Sequence, residues 1–161
     1  AKTSSLQKTK GISRSLSFDL YEQWLGLEKD GQFRFTPPTH ALLAFNQALK
    51  ELSAEGGVAA RMKRYQNNSE RLLKEMMTIG FRPLLTQENQ GWIINSFHYP
   101  GNFNFEIFYN KLSDRGFNIY PGKVSNAECF RIGNIGNIFM DDILNLVAAI
   151  KEVSREMNLT F

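Results

Sequence analysis

Gly80 marks a change of texture that limits what this chain can become. Ahead of it, apolar residues recur at helical spacing through two long stretches. Behind it, they come in short runs cut by proline and glycine. Ala41, Phe45, Ala48 and Leu52 share one helical face, and Gly56-Gly57 ends that run. Val58, Met62, Tyr65, Leu72, Met76 and Ile79 form a second stripe over about 58–79, with Lys63, Arg64, Gln66 and Asn67 on the opposite face. Thr36 is a plausible N-cap for a helix starting near Pro37 or Pro38, since proline is tolerated at the first helical position.

After Gly80, "FRPLL" (81–85) reads as a strand that Pro83 confines to an edge. "GWIINSFHY" (91–99) reads as a second strand. Phe105, Phe108, Tyr109 and Leu112 predict a helix that stops at Gly116. "FNIY" (117–120) predicts a strand ended by a Pro121-Gly122 turn, and "ECFRI" (128–132) another. Asp141 or Asp142 can start a last helix that buries Ile143, Val147 and Ile150. The order is α-α-β-β-α-β-β-α without strict βαβ alternation. It predicts an α+β fold, a small and mainly antiparallel sheet with helices packed on one face.

In front of this lie a polar segment (1–15) and an aromatic stretch, "LSFDLYEQWLGLEK" (16–29), whose spacing is helical although Gly26 argues against a long helix. Lys2, Lys8, Lys10 and Arg14 fall among eighteen residues without an acid, and they account for more than the whole net charge of +3. The basic balance therefore belongs to one arm and not to a nucleic-acid-binding face. "GNIG" (133–136) matches the GxxG of a KH loop, but a strand precedes it and its flanks are not basic. One cysteine, Cys129, excludes an internal disulfide framework and fits a reducing, cytoplasmic setting. His40 and His98 have no partners at metal-ligand spacing, so no metal is expected. No apolar run is long enough to span a bilayer. The lack of an initiator methionine reads as a piece of a longer chain.

Arg131 is the residue that most demands a chemical reason. It sits inside a short apolar strand, where a guanidinium is costly unless an anion or many acceptors meet it. Strand alternation puts it on one face with Cys129, opposite Phe130 and Ile132. It either faces solvent or pairs with Glu128 or Asp141, or its planar fork grips a carboxylate, phosphate or phosphonate. The uncovered main chain of Gly133 and Gly136 suits an anion nearby. A hydroxyl at Thr36 beside helix amides would suit a phosphate, with Arg34 adding charge. Lys123 follows an exposed turn, which does not supply the desolvation a Schiff-base lysine needs.

"RSLSFDLYEQW", "RFTPPTH", "EGGVAAR", "GFRPLL" and "IYPGKVSNAECFRIGNIG" occur in order. Together they resemble the C-terminal part of the 2-aminoethylphosphonate–pyruvate transaminase family, within the class V, fold-type I pyridoxal-phosphate aminotransferases. The resemblance runs from about Arg14 to Ile150. It implies transfer of an amino group from 2-aminoethylphosphonate to pyruvate, giving phosphonoacetaldehyde and alanine, in a homodimer. It implies that Arg131 grips the acidic group of the substrate. It also implies that Thr36 reaches the cofactor phosphate of the other subunit. Residues 1–35 would be an arm and the end of a large domain, and 36–161 a linking helix plus the small domain. The Schiff-base lysine, the aspartate that meets the pyridine nitrogen and the phosphate cup would lie upstream of Ala1. The chain then holds no catalytic residue, needs the N-terminal large domain as its partner, and is expected to be inactive alone. The other reading is a free-standing α+β module that binds a small acid through Arg131 or serves as an interaction platform.

Overall fold

A computed structural model describes residues 1–122 and 126–161. The chain divides into two units, Ala1–Glu51 and Leu52–Phe161. The first holds α1 (Thr3–Gln7), α2 (Leu20–Asp30) and most of α3 (Thr39–Ala54). Asp19 caps α2 by accepting the Glu22 N–H at 3.1 Å, and Gly31 ends it in the left-handed region at φ 71°. The helix runs through Gly26 without interruption, so that glycine does not shorten it. No residue of this unit is buried. The apolar face of α3 stays open, with Phe45 63% exposed.

The second unit has a core. After α4 (Gly57–Ile79) come β1 (Ile94–His98), α5 (Phe105–Ser113), β2 (Tyr120–Pro121), β3 (Cys129–Gly133) and α6 (Met140–Glu156). The sheet order is β1-β3-β2, antiparallel throughout. The segment 82–84 adds an outer rung beside β1: Pro83 bridges Phe97, the Leu84 N–H donates to the Ser96 carbonyl, and the His98 N–H donates to the Arg82 carbonyl. Proline lacks a donor, and an edge is where that does least harm. The expected strand at 117–120 is displaced. Pairing starts at Tyr120, and the Gly122 N–H still donates to the Cys129 carbonyl at 2.8 Å, so the ladder continues where a turn was expected. A Cβ on Gly122 would lie 2.3 Å from the Cys129 sulfur, so glycine lets the two strands close here.

Helices α4, α5 and α6 pack on one face of the sheet. Leu72 and Met76 of α4, Phe108 and Leu112 of α5, and Ile143, Ile150 and Val153 of α6 enclose Phe97, Phe130 and Ile132. The N-terminal half of the α4 stripe lies outside this core, with Val58 73% and Met62 47% exposed. Helix α6 begins one to two residues earlier than expected. Phe139 is the N-cap, and its N–H donates to Asp142 Oδ2 at 2.8 Å, the reciprocal half of a capping box. Asp141 and Asp142 also place negative charge in the first turn, where the helix dipole favours it.

The core is aromatic. The Phe130 ring centroid lies 5.4 Å from those of Phe81 and Phe103, 5.5 Å from Phe108 and 5.7 Å from Phe97. Phe130→Ala should therefore lower stability by about 3–5 kcal/mol, the range for emptying a buried aromatic site. A urea titration should show a lower midpoint at an unchanged m-value.

Candidate functional site

Burial of Phe130 and Ile132 turns their neighbour Arg131 to the opposite face of the central strand. There it is half-buried, paired in register with Ser96 of β1 on one side and Tyr120 of β2 on the other. Its Nε donates to the Pro121 carbonyl at 3.0 Å. Among the described residues no carboxylate pairs with it, so the expected alternative of Glu128 or Asp141 is not realised. Both Nη groups are left without a protein partner among those residues, in the fork arrangement that meets a two-oxygen anion.

The loop that follows is held from α4. Arg64 Nη1 donates to the carbonyls of Gly136 and Ile138 at 2.8 and 2.7 Å. The Tyr65 hydroxyl accepts the Gly136 N–H at 3.1 Å, and Asn68 Nδ2 donates to the Ile138 carbonyl at 2.9 Å. The Asn134 N–H donates to the Ile93 carbonyl. The main-chain donors of Asn134 and Gly136 are therefore engaged inside the fold and are not open to an anion. Asn134 itself is fully buried, and neither polar atom of its amide has a partner among the described residues.

Arg64 is held in turn. Its Nε meets Glu55 at 2.6 Å, Arg61 meets the other Glu55 oxygen at 2.7 Å, and the guanidinium lies over the rings of Tyr65 and Phe139 at 4.9 and 4.7 Å. Hydrogen bonds from Arg64 and then Arg61 pull the Glu55 carboxyl from the ordinary 4.5 down to about 2. The sequence pattern places Arg64 on the face opposite the apolar stripe and gives it no partner. The signal it overlooked was Arg61 and Arg64 three apart on one face, behind a glutamate at the helix entry.

Thr36 belongs to the first unit and Arg131 to the second. Helix α3 begins at Thr39, not at Pro37 or Pro38, so Thr36 stands ahead of the capping position. The Thr39 N–H donates to the Pro37 carbonyl and the Leu42 N–H to the Pro38 carbonyl. Thr36 is exposed, and its hydroxyl has no partner among the described residues. Arg34 is occupied: its Nη1 donates to the Leu16 carbonyl at 3.2 Å, and it lies over the Phe35 ring.

Lys123 lies outside the described residues. Every described lysine is exposed or half-buried, and the half-buried pair, Lys111 and Lys151, are bound to Glu156 and Glu75. None has the desolvated setting of a carbonyl-reactive amine. Among the described residues no cluster of metal ligands occurs, and no helix is long and apolar enough to cross a membrane.

The architecture is that of the C-terminal portion of fold-type I aminotransferases. Alanine–glyoxylate aminotransferase of Nostoc sp. superposes with a TM-score of 0.77 at 19% identity, covering 94% of this chain and 42% of that one. Ureidoglycine–glyoxylate aminotransferase of Bacillus subtilis gives 0.77 at 19% identity, covering 94% of this chain and 40% of that one. In sequence, the chain is 51% identical over 157 residues to the 2-aminoethylphosphonate–pyruvate transaminase of Phocaeicola vulgatus, covering 96% of this chain and 43% of the relative. It is 54% identical over 153 residues to that of Klebsiella pneumoniae, covering 93% and 42%. No family model matches the chain. The chain is thus homologous to the C-terminal part of the 2-aminoethylphosphonate–pyruvate transaminases, and it spans somewhat over two-fifths of the length of these relatives.

The Glu55 pairing gives a pH signature. A carboxyl whose folded-state pKa is depressed stabilises fully above its unfolded value and loses that contribution as pH falls through the folded one. Glu55→Gln should lower the melting temperature at neutral pH. The gap from the parent should close as pH falls from 4.5 towards 2, in a pH series of thermal melts.

Proposed function

We propose that this chain forms the substrate-gripping half of a pyridoxal-phosphate-dependent transaminase. The whole enzyme would transfer the amino group of 2-aminoethylphosphonate to pyruvate, giving phosphonoacetaldehyde and alanine. The observation that carries this is Arg131: a guanidinium fixed through Nε, with neither Nη group paired among the described residues, on the sheet face away from the helices. The identity of about 50% to proteins named for this reaction supports it.

In this reading Arg131 binds the anionic end of each substrate and orients its other end towards the reacting atoms. Pyridoxal phosphate supplies the electron sink for amino transfer. The described residues fit a contribution at its phosphate end only. The free Thr36 hydroxyl would donate to a phosphate oxygen held mainly by the other subunit of a homodimer, while the described lysines suit no covalent role. The lysine, the pyridine-nitrogen partner and the phosphate cup would come from an N-terminal large domain. Residues 1–35 would belong to its end, with 36–161 forming the linking helix and the small domain. The open apolar face in residues 1–51 is consistent with such a partner segment. The setting would be cytoplasmic.

In the full-length enzyme, Arg131→Ala should cost about 2–5 kcal/mol in kcat/KM, the scale for truncating one partner of a buried charge pair. The cofactor absorbance should be retained. A near-normal rate would refute the assignment. Thr36→Val should weaken cofactor binding about tenfold, the loss of one hydrogen bond to a charged group, read by equilibrium titration of the cofactor.

A further inference from the structure

We propose that Tyr120 is a second anion-binding residue beside Arg131, and that it discriminates a tetrahedral phosphonate from a planar carboxylate. This rests on the reading of Arg131 as the anion grip.

The sheet register carries the argument. Tyr120 pairs directly with Arg131, and Arg131 pairs with Ser96, so the three cross the sheet as one row on the face away from the helices. Directly paired residues hold their Cβ atoms about 4.5–5.5 Å apart. The Nε bond to the Pro121 carbonyl ties the guanidinium to β2, the strand that carries Tyr120. Tyr120 is 56% exposed, and its hydroxyl has no partner among the described residues. Ser96 is half-buried on a short side chain and stays close to the sheet surface. Of the two neighbours in the row, only Tyr120 is long enough to stand level with a guanidinium.

The chemistry follows from counting donors. With Nε committed, Arg131 offers its two Nη groups, which match the two oxygens of a carboxylate. A phosphonate carries a third oxygen out of that plane. A phenolic O–H beside the fork supplies the donor it needs. A carboxylate in the same fork has both oxygens already engaged and gains little from the phenol. One strand pair would thereby hold two anions of different shape, with the tyrosine acting on one of them.

The test uses the full-length enzyme and compares Tyr120→Phe with Arg131→Ala. Steady-state kinetics are measured separately in 2-aminoethylphosphonate and in pyruvate. We expect Tyr120→Phe to lower kcat/KM for the aminophosphonate about tenfold, the loss of one hydrogen bond to a charged group. The value for pyruvate should stay within about twofold, while Arg131→Ala lowers both about thirtyfold or more. The substitution removes one exposed oxygen, so a merely structural role would touch both substrates alike. If Tyr120→Phe lowers both equally, or leaves the aminophosphonate untouched while Arg131→Ala still acts, Tyr120 has no such role and Arg131 stands. If Arg131→Ala changes neither substrate, the reading of Arg131 falls and the tyrosine proposal falls with it.

Discussion

The structure of the second unit depends on the burial of Phe130. Its ring is the meeting point of aromatic side chains from the segment after α4, from β1, from the turn before α5 and from α5 itself. A strand has a side-chain period of two, so fixing Phe130 inward fixes Arg131 outward. The cation that looked expensive in an apolar strand is therefore placed on the open face by the same register that builds the core. Its cost is reduced further because the guanidinium is half-buried and hydrogen-bonded through Nε. Core and candidate site are two sides of one strand, and a slip of one residue would exchange them.

A second, electrostatic layer fixes the path of the chain after that strand. Arg64 reaches from α4 to two carbonyls of the loop 134–139, and Glu55 with two aromatic rings holds Arg64 in place. A guanidinium is suited to this because its donors leave in several fixed directions from one plane. A lysine could replace the charge but not the simultaneous contacts. The loop has no regular secondary structure, yet the N–H groups of Asn134, Gly136 and Phe139 and the carbonyls of Gly136, Ile138 and Phe139 all find partners.

Much of this was readable from residues. The alternation of "ECFRI" placed Arg131 opposite Phe130, Pro83 marked its segment as an edge, and the glycines at 57 and 80 bounded α4. The blocks shared with the transaminases carried the fold and the family. What failed did so for identifiable reasons. Thr36 lost its capping position because α3 starts only at Thr39, after the proline pair. "FNIY" and the following Pro-Gly looked like a strand and a turn, but the glycine let the ladder run on, and pairing moved towards it. The α4 stripe is continuous in sequence but covered only where the sheet lies beneath it, a tertiary fact that periodicity does not contain. The pattern put Arg64 on the face opposite the apolar stripe and named no partner for it, because two of its partners are backbone carbonyls more than seventy residues away. The roles proposed for Arg131 and Thr36 rest on their chemistry and on family likeness.

The shortest strand has a disproportionate influence. β2 spans two residues and is joined only to β3, yet its Pro121 carbonyl sets the direction of the Arg131 guanidinium. Edge elements with few buried contacts open at much lower free energy than the strands they border. The Gly122 amide should exchange with solvent well before the amides of β3. On warming, the guanidinium would lose its orientation while the aromatic core stays intact, so the anion grip proposed for it would fade at temperatures where the protein still counts as folded.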